Sequence, residues 1–419
     1  MNNTNKPMVT SHPGSRLLKA VLLLLLFPLG FIMGMISMAN FPHFYESPII
    51  PPILLSSSLA PSPSATPMPT PTPPSPSPET QCLCPPPLSS TPTPSSPSPP
   101  PAERPATPRG LMSFITPSGV MHDMTDDELL WRASMAPKVS RTPYTRVPKV
   151  AFLFLVRNQL PLRPLWEKFF AGQKHELYTI YVHSFPPFAA TLPTDSVFHG
   201  RMIPSQRTTW GDANLVEAER RLLANALLDQ SNERFALLSE SCIPIYDFPT
   251  IYTHLTGSNN SFIDCFDNAS ARVRYKPDIF TPHNITISQW RKGSQWFEMD
   301  RALAVEVVSD EAYFPAFRDC RRCVIDEHYI PTLVSILGWR RNANRTLTYM
   351  EWQPKNPHPR RHGAEDVTVE LLMKMRGGAG NNCTYNGAAS NVCFVFARKF
   401  SPDSLGPLLE LAPKIMGFG

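Results

Sequence analysis

Prolines gathered into one stretch decide where this chain can and cannot fold. There are 49 of them against 19 glycines in 419 residues, and they crowd between Pro42 and Pro108 in runs such as "PSPSATPMPTPTPPSPSP" and "SPSPPP". Proline fixes its own φ and offers no backbone N–H. Such a segment therefore favours polyproline II, buries almost no apolar surface and cannot make a packed core. It reads as an extended, semi-rigid stalk. Its serine and threonine content suits O-linked decoration.

Upstream, "AVLLLLLFPLGFIMGMISMA" (residues 20–39) carries no charge and is long enough to cross a bilayer as a helix. Lys6, Arg16 and Lys19 precede it without an acidic residue, and Glu46 is the near charge after it. The positive-inside rule puts residues 1–19 in the cytoplasm and the rest across the membrane. Ser37-Met38-Ala39 offers a signal-peptidase site, but the apolar run is long for a cleaved signal core. An uncleaved anchor is the expectation, with a stalk over 40–147 and a folded domain over 148–419.

The far side should be oxidising and glycosylating. Beyond the anchor, Asn259, Asn268, Asn284, Asn344 and Asn382 each open an N-x-Ser/Thr sequon. The eight cysteines are even in number, and Cys242, Cys265, Cys320, Cys323, Cys383 and Cys393 fall in the C-terminal region. Oxidising surroundings favour disulfides among them, with a four-cysteine zinc site from Cys320, Cys323, Cys383 and Cys393 as the alternative. Cys82 and Cys84 in the stalk can link two chains. The net charge of +5 is mild, and no basic stripe interleaved with aromatics appears, so nucleic acid is excluded as a partner.

From Pro148 the pattern changes. "KVAFLFLVR" (149–157), "YTIYVHS" (178–184) and "RFALLS" (234–239) are short apolar runs suited to strands buried on both faces. Between them "ANLVEAERRLLANALLDQ" (213–230) has helical periodicity. Glu217, Glu219, Arg220 and Arg221 fall on its expected polar side, and Gly211 or Asp212 is the candidate N-cap. "SQWFEMDRALAVEVVSD" (294–310) reads as a strand, a turn and a helix from about Arg301, and "NVCFVFARKF" (391–400) as one more buried strand. Strands alternating with helices predict an α/β domain with a mainly parallel sheet, whose ligands bind beyond the strand ends. That directs attention to Arg157, His183, the "SESC" at 239–242, and Arg398 with Lys399.

Another candidate is "CVIDEHYIPTLVSILG" (323–338). Capping by Asp326 would put Pro331 at the fifth helical position, where its ring and missing N–H cost a bond. Pro331 fits better as the first helical residue of a short helix ending at Gly338. Asp326, Glu327 and His328 then lie in the preceding loop, as a solvated acidic turn or as the lining of a site. Lys399 is either an ordinary strand-end lysine or a point charge for a diphosphate, with Arg398 adding a fork. Trp290 and Trp296 suit a core, whereas Trp352, before a proline-broken loop, suits stacking on a sugar.

Five ordered blocks carry a resemblance: "VAFLFLVRNQLPLRPLWEKFF", "LLSESCIPIYDF", "QWRKGSQWFEM", "VIDEHYIPT" and "NVCFVFARKF". Over about residues 148–411 the chain resembles the plant branch of the core-2/I-branching β-1,6-N-acetylglucosaminyltransferases (glycosyltransferase family 14), which are type II Golgi enzymes. The resemblance implies a GT-A-like fold and inverting, metal-independent transfer of a sugar from a UDP-sugar, N-acetylglucosamine being the founding case. It makes Glu327 the general base and Lys399 the charge that faces the leaving diphosphate in place of a cation. In accord, "RFALL" runs into Ser239-Glu240-Ser241 where a metal-dependent enzyme has Asp-x-Asp. It assigns Trp352, Arg272 and Arg274 to the acceptor, and pairs Cys383 with Cys393 and Cys320 with Cys323. Animal members carry an arginine just before the late cysteine. "AASNVC" has none, which leaves Arg398 or Arg376 to assist Lys399.

The expected protein is thus a Golgi-anchored glycosyltransferase acting on a glycan or glycoprotein hydroxyl, without a cofactor or metal. Two alternatives stand beside it. A catalytically silent glycan-binding or scaffold protein would lack affinity for UDP. A glycoside hydrolase would need facing carboxylates, for which Glu240 and Glu327 are the candidates.

Overall fold

The structure is a computed structural model that describes residues 110–419 apart from positions 118, 140, 188–191, 355, 357 and 378–382. The apolar stretch 20–39, the prolines before residue 110, Cys82, Cys84 and Asn382 lie outside the described residues. Among the described residues, no helix is long and apolar enough to cross a membrane.

In chain order the strands are β1 (Lys149–Val156), β2 (Tyr178–Ser184), β3 (Asn232–Ser239), β4 (Ile243–Pro244), β5 (Glu298–Asp300), β6 (Thr348–Met350), β7 (Cys383–Tyr385), β8 (Ala388–Ser390) and β9 (Phe396–Arg398). The main sheet runs β2-β1-β3-β5, with β1 parallel to both neighbours and β5 antiparallel at the edge. A smaller sheet runs β4-β9-β6. The domain is a mixed α/β structure with a parallel-rich sheet between helices.

The central strand explains the layers. β1 is apolar at successive positions because both of its faces are covered. Ala151, Leu153 and Leu155 join the core under helices Ala213–Leu227 and Arg301–Ser309. Val150, Phe152, Phe154 and Val156 face the other way, into an aromatic core with Trp166, Phe169 and Phe170 of helix Arg163–Phe170. Phe152 meets Phe170 edge-to-face at 5.1 Å, and Trp166 donates from Nε1 to the Cys242 carbonyl at 3.1 Å. Each such side chain, fully buried, stabilises the fold by about 1.5–3 kcal/mol.

Helix Ala213–Leu227 corrects the expected polar face. Asp212 is the N-cap, as read, but Glu219, Arg220 and Arg221 are buried. Arg220 reaches the C-terminal end of helix Arg301–Ser309, donating to the carbonyls of Val307, Val308 and Asp310 at 3.2, 2.9 and 3.0 Å. These are carbonyls that a helix leaves unpaired at its end. Arg221 grips Asp126 with two bonds of 2.7 and 2.6 Å. Paired charges and unpaired carbonyls make these positions interior ones, which periodicity alone does not register.

That second grip also moves the domain boundary. Residues 110–147, read as stalk, include helix Asp126–Ala133, opened by a capping box between Thr125 and Glu128. Leu129 and Ala133 of that helix sit in the core. The folded part therefore starts upstream of 148.

The turn before Pro331 is corrected as well. Ile325–Glu327 is a 3-10 turn, and helix Tyr329–Ile336 follows, with Pro331 at its third position rather than its first. N–H groups in a first helical turn have no intrahelical partner, so proline forfeits nothing there. Gly338 then turns the chain at φ +56°, as expected.

Candidate active site

A two-lobed cleft opens where β1, β3 and β9 end. One lobe, of about 240 Å³, is lined by Phe266, Lys292, Asp326, Glu327 and Trp352 among others. The other, of about 620 Å³, is lined by Arg157, Asn158, Arg207 and Glu240. Trp210, Gln295, Trp296, His358, Arg398 and Lys399 line both.

Glu327 is carried into the first lobe by the 3-10 turn, which follows Val324 in the left-handed region at φ +51° and is stapled just upstream by the Cys320–Cys323 disulfide. The turn docks on Gly293, whose N–H donates to the Glu327 carbonyl at 2.9 Å. A Cβ on Gly293 would collide with the Asp264 carbonyl, so only glycine allows this approach. The Glu327 carboxylate faces Arg274 Nη1 at 2.9 Å and Lys292 Nζ at 3.4 Å, with its side chain 21% exposed. An anion flanked by two cations and open on one side can accept a proton from a bound hydroxyl.

Its two neighbours are buried. His328 stacks on Trp290 at 4.5 Å, donates from Nδ1 to the Arg291 carbonyl at 2.7 Å, and leaves Nε2 at 3.4 Å from Arg274. Burial pushes its pKa down to about 4, against the help of that bond to Arg291, so the ring is neutral and Nε2 accepts from Arg274. His328 thus holds the arginine that holds Glu327. Asp326 lines the same lobe. Burial, then the charge of Glu327, raises its pKa to about 6, and its Oδ1 has no hydrogen-bond partner among the described residues.

The basic end is assembled by β9, the middle strand of the small sheet, which delivers Arg398 and then Lys399. Arg398 lies over the Trp296 ring at 4.0 Å and is 9% exposed. Burial, and after it the charges of Arg398, Arg157 and Arg361, pushes Lys399 down to about 8, with Glu240 opposing. Arg157 stands exposed at the end of β1. Arg376 is elsewhere, donating to the Ile415 carbonyl and stacking on Tyr246. Of the two arginines weighed as the helper of Lys399, Arg398 is the one in the cleft.

Other candidates divide. Trp352 is 54% exposed on the Glu327 lobe, and Arg274 touches Glu327. Arg272 turns away, paired with Asp267 at 2.7 Å on the surface. His183 lines neither lobe. It is buried at the end of β2, accepts from the Gln206 N–H at 3.2 Å and is pushed down to about 4 by burial. Glu240 and Glu327 line different lobes and so do not form a facing pair. Cys383–Cys393 and Cys320–Cys323 form two separate disulfides, which removes the four-cysteine zinc alternative. Asn259, Asn268, Asn284 and Asn344 are all exposed.

Lys292, Gln295, Trp210, Phe266 and His358 were not anticipated. Lys292 and Gln295 lie in the "QWRKGSQWFEM" block, where the tryptophans drew the reading. Trp210, with His358 edge-on at 5.6 Å, sits in a polar stretch without periodicity, where an isolated tryptophan was the available signal.

A model of the Core-2/I-Branching enzyme family matches residues 150–376. The chain is also 35% identical over 309 residues to a rice protein (Oryza sativa subsp. japonica) named Glycosyltransferase BC10, a stretch covering 63% of this chain and 76% of that protein.

Proposed function

Because the chain belongs to the Core-2/I-Branching enzyme family and is a glycosyltransferase, we propose that its cleft transfers a sugar, N-acetylglucosamine in the first instance, from a UDP-sugar to a hydroxyl of a glycan, with inversion and without a metal ion. In this reading the domain is GT-A-like, held in the Golgi lumen by the anchor at 20–39. The acceptor lies on Trp352 with one hydroxyl at Glu327. Glu327 takes the proton of that hydroxyl as its oxygen attacks the anomeric carbon from the face opposite UDP. Arg274 and Lys292, at 2.9 and 3.4 Å, hold the carboxylate in place and oriented. The bond to the diphosphate breaks as the new one forms, and negative charge grows on the leaving oxygens. Lys399, Arg398 and Arg157 stabilise that charge in a partly dehydrated site, where a fixed cation is worth more than in water.

The observation that carries this reading is the placement of one open carboxylate and a cluster of cations on adjoining lobes of a single cleft. The test is calorimetric titration of the purified full-length chain with UDP and a panel of UDP-sugars in excess EDTA. Binding of one sugar nucleotide that survives EDTA and is lost in Lys399→Ala is the expected result. Binding that needs added manganese overturns the metal-free part. No binding in either condition overturns the donor site.

A further inference from the structure

The transferred sugar must lie where the lobes meet, since its anomeric carbon is bonded to the diphosphate on one side and attacked from the Glu327 side on the other. The residues lining both lobes are therefore the ones it passes. Arg398 and Lys399 belong to the diphosphate, and Trp296 lies beneath Arg398. Trp210 and His358 pack on each other at the exposed rim. Gln295 is the uncharged amide in the set, able to donate and to accept.

Gln295 is held from behind. Its Nε2 donates to Glu219 Oε1 at 2.8 Å. Glu219 projects from helix Ala213–Leu227, is 1% exposed, and has no hydrogen-bond partner for Oε2 among the described residues. Burial, opposed by the Gln295 bond and reinforced by Asp326, raises its pKa well above the usual carboxylate range. A buried carboxyl aimed at one amide is costly unless that amide has to be kept in place. With one N–H on Glu219, Gln295 keeps its second N–H and its carbonyl oxygen, for which no bond to the protein is formed among the described residues.

We propose that Gln295, positioned by Glu219, reads the sugar ring of the donor: it hydrogen-bonds a ring hydroxyl or the acetamido group and so selects which UDP-sugar is used. This inference rests on the reading of the cleft as a UDP-sugar site. A polar pair built to meet one ring substituent rejects sugars that leave it unpaired.

The test measures affinities of UDP, UDP-glucose, UDP-N-acetylglucosamine, UDP-galactose and UDP-xylose for the full-length protein and for Gln295→Ala, Glu219→Ala and Glu219→Gln. Gln295→Ala is expected to leave UDP within twofold of wild type, weaken the preferred UDP-sugar about tenfold, and shrink its preference over the next sugar by the same factor. Glu219→Ala should do likewise, and Glu219→Gln, which keeps an oxygen for Gln295, should restore most of the preference. Should Glu219→Ala fail to fold, the half-buried, cleft-lining Gln295→Ala decides alone. Wild-type preferences in Gln295→Ala, or equal weakening of UDP and every UDP-sugar, overturn the proposal. Wild type that binds no UDP overturns the underlying reading and this inference with it.

Discussion

Raising the pH should switch off Lys399 within the range where the protein can be assayed. Burial, followed by Arg398, Arg157 and Arg361, lowers its pKa to about 8. The free site therefore holds this charge below pH 8 and gives up the proton above it. About nine-tenths of Lys399 is charged at pH 7 and about one-tenth at pH 9. Bound UDP brings opposite charge and favours the ammonium, so above pH 8 binding must take up a proton. The affinity for UDP then falls by up to tenfold per pH unit, and by about tenfold, or ~1.4 kcal/mol, between pH 7 and pH 9. Titration calorimetry at pH 7, 8 and 9, in two buffers of different ionisation enthalpy, reads both the affinity and the proton uptake. Lys399→Arg should bind UDP with a flat profile, because guanidinium keeps its charge. Lys399→Ala should bind weakly at every pH. A wild-type affinity constant from pH 7 to 9, or an equal slope in Lys399→Arg, would refute the assignment.

Three further outcomes are expected. Trp352→Ala should raise the acceptor KM about five- to tenfold in steady-state kinetics while leaving UDP affinity unchanged, since the exposed ring lines the Glu327 lobe and contributes about 1 kcal/mol of stacking. Replacing Cys383 and Cys393 by serine opens a loop with a sequence separation of 10, so the urea midpoint should report a loss of about 3 kcal/mol. Glu298, buried and accepting from the Leu347 N–H at 3.0 Å, is raised to about 8 mainly by burial. The folded state holds that proton more tightly than the unfolded chain does. Its contribution is therefore complete at and below pH 4.5 and lost as pH rises through 8, so wild type should lose stability relative to Glu298→Gln over that window and level off above it.

How much of this was legible beforehand depended on what each residue type advertises. β1 announced itself because a strand covered on both faces must be apolar throughout. Asp126–Ala133 did not, because it brings only Leu129 and Ala133 to the core beside its ion pair with Arg221, in a segment continuous with the prolines. Glu219, Arg220 and Arg221 looked like a solvated face, since nothing in a local pattern reveals that carbonyls, an aspartate and a glutamine await them across the fold. In the cleft, Glu327, Lys399, Arg398, Arg157 and Trp352 came together from distant segments, with Arg274 paired to Glu327 beside it. His183, near the end of β2, and Arg272, inside the turn Ala269–Arg274, each have the side chain engaged with another partner, the Gln206 N–H and Asp267. Gln295 had no signal of its own, since an amide becomes a reader of ligands only through what lies on either side of it.

The most direct measurement is transfer by Glu327→Gln. The amide preserves size and the contact with Arg274 but cannot take a proton, so sugar transfer should fall by about 10²–10⁴-fold while calorimetry shows unchanged UDP-sugar binding and the thermal midpoint holds. Wild-type turnover in that variant would contradict the assignment of Glu327 as the base.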